Sequence, residues 1–249
     1  MKNVFRPAIL PWFTLACGGL GLGLRIWLFQ GMDEKGLLPA GHVASVFIFV
    51  LTALVLLTLF LCVRPLRPMS KYSRLFPAGI RRAVGCAAGA AGVVCAGVYQ
   101  YAGNVGLLGS LTLALAIVSG VCLLVMAWLR LQGRRPSFWL HTVPTVFLML
   151  YTVCRCRVWG SEPQLQMYFF QLLASVFLML TSYYLSVLDT QKGSRQWLVF
   201  FSQAALFCCC LCLNGEHMLF YLGMILWLTL DMCSVTVKSA PVNPQQQET

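Results

Sequence analysis

Charge is what this sequence has least of. Of its 249 residues only 10% are charged, seven are acidic and three are histidine, while 59% are hydrophobic and the mean hydropathy is +0.78. A water-soluble domain carries roughly a quarter of its residues charged, and a disordered chain carries few apolar ones. Soluble enzyme folds, disorder and secreted disulfide scaffolds are therefore excluded. Catalytic punctuation is missing as well: there is no HExxH, no GxSxG, no Walker A and no GxGxxG. Hydrolytic and nucleotide-driven chemistry has no visible residues, and an enzyme is not the expectation.

What the chain does have is long apolar runs. A helix crossing a hydrocarbon layer of about 30 Å needs about 20 mainly apolar residues. Eight segments qualify, at Ala8 to Phe29, Val43 to Val63, Ala83 to Ala102, Val105 to Leu129, Phe138 to Cys156, Leu165 to Leu188, Trp197 to Leu213 and Met218 to Val237. The fifth carries His141, Pro144 and Arg155, and the seventh has 17 residues. The expected fold is an all-α, polytopic bundle of eight transmembrane helices occupying residues 1–237, followed by a polar tail at 238–249 that is read as disordered. Thr14-Leu15-Ala16-Cys17 faintly resembles a lipoprotein cleavage box. Pro11 and Trp12 interrupt the run before it and apolar sequence continues past it, so a retained signal anchor is expected.

Basic residues set the orientation, because Lys and Arg near a span resist translocation. With both termini cytoplasmic, 14 of the 18 fall on the inner side, and Lys35, Arg155 and Arg157 on the outer, with Arg25 inside the first span. The formal net charge of +11 is thus spread over short loops as topology demands, and needs no nucleic-acid partner. The densest loop, Arg64 to Arg82, holds Arg64, Arg67, Lys71, Arg74, Arg81 and Arg82. Short, basic and amphipathic, it is expected to lie on the anionic lipids of the inner leaflet or to dock a protein partner.

A weak internal repeat runs through the chain. Pro11, Arg25-Ile26-Trp27 and Ala44-Ser45-Val46-Phe47 recur as Pro144, Arg157-Val158-Trp159 and Ala174-Ser175-Val176-Phe177, at offsets of 133, 132 and 130. Arg82 and Leu108-Gly109 pair with Arg195 and Leu222-Gly223 at 113 and 114. Four spans per half, 1–130 and 131–237, make a 4+4 parallel repeat of the kind transporters use to place a site between halves. The small residues Gly19, Gly23 and the run from Gly85 to Gly97 predict close packing in the first half, and bulkier contacts or lipid in the second.

Of the polar residues inside spans, Asp231 is the sharpest. An ionisable group at that depth faces a cavity or a partner, or else meets water or a loop arginine at the inner interface. Arg25 and Arg157 each precede a tryptophan by two residues, so Trp27 and Trp159 serve as interface anchors and fix the arginines near the outer ends. Either those arginines snorkel, or they form an anion-attracting vestibule. Gln100, Gln171 and Gln203 are candidates for interhelical hydrogen bonds. Adjacent thiols such as Cys208, Cys209 and Cys210 point about 100° apart on a helix and cannot share one ion. The histidines are scattered, with His42 and His217 expected to be solvated at outer span ends. No metal or cofactor is assigned.

In general style over its whole length the chain resembles uncharacterised multipass membrane proteins of bacteria, a resemblance without a diagnostic motif that implies no activity. Small-solute transport or binding is the leading expectation, with Asp231, Arg25 and Arg157 as ligand-binding or coupling candidates. The alternative is a non-transporting sensor, scaffold or regulatory component acting through the basic loop, and a membrane-embedded enzyme ranks third. The two leading readings differ in one observable: a polar cavity lined by those three residues favours transport, a dry bundle the scaffold.

Overall fold

Backbone amides in hydrocarbon must find partners within their own segment, so long apolar runs become helices. The computed structural model describes residues 9–31, 42–66, 79–103, 106–134, 136–159, 165–189, 194–215 and 217–235, and among them it contains eight α-helices and no strand. They are α1 (Leu10–Gln30), α2 (Val43–Val63), α3 (Ile80–Gly103), α4 (Leu107–Leu131), α5 (Phe138–Trp159), α6 (Leu165–Asp189), α7 (Arg195–Leu211) and α8 (Met218–Val235). Five of them, α1, α2, α3, α4 and α6, are long and apolar enough to cross a membrane, while α7 and α8 are shorter apolar helices. Hydroxyls inside the helices are satisfied locally: Thr14, Thr52, Thr181 and Ser202 each donate to the carbonyl four residues back at 2.7 to 2.9 Å.

Successive helices run antiparallel, so their ends fall in two layers. The layer holding the start of α1 is termed inner. Gln196 on α7 meets Arg64 after α2 there, and Arg130 on α4 meets Asp231 on α8. Arg25 meets Leu211, and Thr112 on α4 meets Cys154 on α5, in the outer layer. Between the layers the perimeter is apolar, with Leu20, Leu54, Val121 and Met149 all more than half exposed. Tryptophans stand at the layers: Trp12, Trp128, Trp139 and Trp197 are exposed at the inner ends of their helices and Trp27 at the outer end of α1. Amphipathic rings at both margins of an apolar belt are the pattern of a bilayer-embedded bundle.

Helices α3 through α8 each pack on the next, and α8 returns to α3, closing a six-membered ring; α1 and α2 lie outside it against α7. The ring is filled. Tyr151 and Phe147 of α5 and Phe220 and Trp227 of α8 are at most 1% exposed, and the Tyr151 and Phe220 rings lie 5.2 Å apart.

This packing bears on three expectations from sequence. A parallel 4+4 repeat needs the α3–α8 contact mirrored by α7–α4, and α1–α7 by α5–α3. Among the described residues neither α4 with α7 nor α3 with α5 is a packed pair, so the packing does not bring out that symmetry. Close packing is not confined to the first half: α3 and α4 of that half pack closely on each other, but α7 is the most enclosed helix, buried without a break from Ser202 to Leu211, whereas windows of α1 and α2 are only 28% buried. Gly19 and Gly23 face open space, and it is Gly18 and Gly21, one turn-phase away, that approach Cys210 and Leu211 of α7. The glycines of α3 serve close approach on two sides: Gly97 faces Ala116 of α4 in the same half, and toward α8 in the other half a Cβ on Gly89 would lie 3.2 Å from Trp227 and Gly92 stands opposite Gly223.

Candidate functional site

Buried ionisable side chains gather at both ends of the bundle, in two separate clusters, with neutral polar ones such as Ser119 and Gln203 between them. At the inner end Asp231 of α8 is 1% exposed and accepts a hydrogen bond from Arg130 Nη1 at 2.6 Å, in a salt bridge with a guanidinium that is itself 4% exposed. The same Nη1 lies 3.0 Å from Cys86 Sγ of α3. Arg82, one turn earlier on α3, is buried beside Cys86, and fully buried His141 of α5 lies close enough to feel the charge of Arg130. Three helices are thus clasped by one ion pair. A lone charge at this depth would be costly, and a paired one is tolerated.

At the outer end Arg25 of α1 is 4% exposed, and its Nη1 donates to the Leu211 carbonyl at 2.8 Å, with Cys212 Sγ at 3.5 Å. The last carbonyls of a helix have no partner within it and carry its negative dipole end, so a guanidinium there completes α7. The rings of Phe29 and Phe170 lie 5.4 and 5.9 Å from the guanidinium carbon and enclose it. Nearby, His217 stands edge-on to Tyr99 at 4.5 Å and to Tyr151 at 5.9 Å.

The three expected ligand-binding residues do not meet. Asp231 belongs to the inner cluster and Arg25 to the outer one. Arg157 is exposed on α5, while Arg155, two residues and about 200° away around the helix, is the buried one. The anticipated equivalence of Arg25 and Arg157 is therefore absent in burial. Trp27 is half-exposed at the outer margin, where it packs edge-on to His42 at 5.7 Å, and His42 Nδ1 accepts from Ala44 N at 3.2 Å as the cap of α2. The side chain of Trp159 lies outside the described residues.

In the basic loop Arg64 and Arg81 are exposed as expected, but Arg82 turns inward and is 3% exposed, because the first turn of α3 already faces α8. Arg67, Lys71 and Arg74 lie outside the described residues, as does the tail from 238 to 249. His217, expected to be solvated, is 3% exposed and makes no hydrogen bond among the described residues. Gln203, expected to bond across helices, is fully buried with no partner for its amide. Among the described residues no three His, Cys, Asp or Glu side chains are placed to hold a metal ion, and the Cys208, Cys209, Cys210 and Cys212 thiols are free and buried.

Arg130 is the residue that sequence reasoning placed elsewhere, among the inner-loop charges that set topology. Its position one residue before the end of α4 made it look like an interface charge, and only the option that Asp231 meets a loop arginine pointed toward it. No protein-family model, no curated protein and no solved structure matches this chain.

Proposed function

We propose that this chain is an eight-pass integral membrane protein of the cell membrane, with both termini cytoplasmic, and that it is a non-transporting component acting through its basic inner loop. The observation that carries this reading is the separation of the polar candidates. Asp231 is engaged with Arg130 at one end, Arg25 with the α7 terminus at the other, and the space between is occupied by buried aromatic rings. A solute path needs polar groups at intermediate depth that converge on a cavity. Residues committed to holding helices together suit a rigid platform that presents Arg64 and Arg81 at the inner surface.

Small-solute transport or binding is the second reading. It is favoured by Gln203 and His217, buried side chains whose polar atoms make no hydrogen bond among the described residues and would welcome a ligand. The native thiols separate the two. In intact membranes a membrane-impermeant maleimide should reach Cys156, which is exposed near the outer end, and should leave Cys208, Cys209 and Cys212 unmodified until the protein is unfolded. Modification of Cys208 or Cys209 in the folded protein would reveal a water path through the bundle and restore the transport reading.

A further inference from the structure

The inner rim of the bundle carries a built recess. Between α2 and α7 lies a cavity of about 140 Å³ lined by Phe60, Val63, Arg64, Gln196, Trp197 and Phe200. Its walls are aromatic: the Phe60 and Phe200 rings meet edge-on at 6.1 Å, and Trp197 meets Phe200 at 6.2 Å. Its rim is fixed by Gln196, whose Nε2 donates to the carbonyls of Arg64 at 3.0 Å and Leu66 at 2.7 Å and so ties the end of α2 to the first turn of α7. Phe60 and Trp197 are 45% and 43% exposed, so the recess opens onto the perimeter where lipid chains would run. The Arg64 side chain stands exposed at the mouth, with no ion pair among the described residues.

We propose that this recess is a binding site for one anionic phospholipid, its acyl chain lying along Phe60, Phe200 and Trp197 and its headgroup phosphate held by Arg64. The proposal rests on the membrane-embedded reading above and gives the basic inner face a defined lipid partner. A volume of about 140 Å³ is well below the roughly 300 Å³ at which pockets begin to enclose drug-sized molecules, so it suits a narrow linear chain that continues outside. Apolar fit alone confers no preference, since lipid tails are as apolar as the helix surface they would leave. Selectivity comes from charge complementarity, and one arginine at a membrane surface favours an anionic headgroup by roughly fivefold. Trp197 places the recess at interface depth, where phosphate and aromatic ring sit together.

The test uses the purified full-length protein in a mild uncharged detergent, where binding does not depend on which way the chain inserts in a bilayer. Failure here is therefore distinct from failure of the topology or of the thiol-protection experiment. Brominated phosphatidylglycerol and brominated phosphatidylcholine are titrated separately, and the quenching of Trp197 is read as the difference between the wild-type protein and Trp197→Phe. Trp197 should be half-quenched at roughly fivefold lower phosphatidylglycerol than phosphatidylcholine. Arg64→Gln, an exposed position whose side chain makes no contact the fold needs, should abolish that difference while leaving the helical content intact. Equal quenching by both lipids would reduce the recess to ordinary annular contact and overturn the proposal. Displacement of phosphatidylglycerol by millimolar inorganic phosphate would overturn it in favour of a soluble-anion site, and a preference that survives Arg64→Gln would remove Arg64 from it.

Discussion

Replacing Asp231 by asparagine keeps the shape of the side chain and removes its charge, leaving the Arg130 guanidinium buried without its counter-ion. Breaking one partner of a buried pair costs roughly 3 to 5 kcal/mol in general. Two features place this case lower. Arg130 is one residue from the end of α4, so its long stem lets the guanidinium turn toward the inner interface once the partner is gone. Asparagine also retains an acceptor for the 2.6 Å hydrogen bond. A loss of about 2 to 3 kcal/mol is expected, read by reversible unfolding in mixed micelles with increasing dodecyl sulfate. Arg130→Met should cost at least as much, because it leaves a carboxylate that is 1% exposed and too short to escape. The double variant Arg130→Met with Asp231→Leu removes both charges and fills the volume, so it should lie within about 1 kcal/mol of the wild type. A cost below about 0.5 kcal/mol for Asp231→Asn, or a double variant as unstable as the two single losses added together, would refute a stabilising Arg130–Asp231 pair.

The same unfolding assay checks helix packing and the outer clasp. Gly223→Ala would put a Cβ 2.6 Å from the Ala88 carbonyl oxygen and 3.0 Å from Gly92 Cα, backbone atoms that cannot yield, and should cost about 1 to 3 kcal/mol. Gly23→Ala meets nothing within 4 Å and should be neutral or stabilising by up to about 1 kcal/mol. Arg25→Gln removes the donor from the Leu211 carbonyl and should cost about 1.5 to 3 kcal/mol, whereas Arg157→Gln on the exposed face should stay within about 0.5 kcal/mol. Reporter fusions at Lys35 and Lys238 should report opposite sides of the membrane, and a same-side result would remove the eight-pass topology.

Helix existence was legible in the sequence and helix facing was not. Both ends of each of the eight helices fall within three residues of those expected from apolar length, and the α2 bounds coincide, because an apolar run has no other way to satisfy its backbone. The rotation of each helix about its axis had no comparable signal. In a soluble protein polar residues mark the outward face, but here both faces are apolar and one residue of phase is about 100°. That is why Gly18 and Gly21 occupy the interface expected of Gly19 and Gly23, and the Arg-x-Trp pattern that singles out Arg157 carries no sign that Arg155 is the arginine turned inward. Asp231 was found because a single acid in a span is conspicuous. Its partner was missed because Arg130, near a span end, satisfies the topology rule equally well whether it faces lipid headgroups or turns inward.

The depth of the buried charges is itself informative about mechanism. Arg82, Arg130, Arg155 and Arg25 all lie within a turn or two of a helix end, where interfacial water and headgroups lower the cost of folding a charge into the bundle. A charge placed there for coupling would have to face a route toward the other side, and between the two layers that route meets Phe147, Tyr151, Phe220 and Trp227. A charge placed there for assembly needs only a partner on a neighbouring helix, and Arg130 and Arg25 each have one on a helix distant in sequence. The small residues of α3 act in the same sense, drawing α8 close enough that Asp231 can reach α4. Close packing and the ion pair therefore depend on each other: Gly223→Ala should weaken the Arg130–Asp231 coupling measured by the double-mutant cycle, whereas Gly23→Ala, on a helix outside the ring, should leave that coupling unchanged.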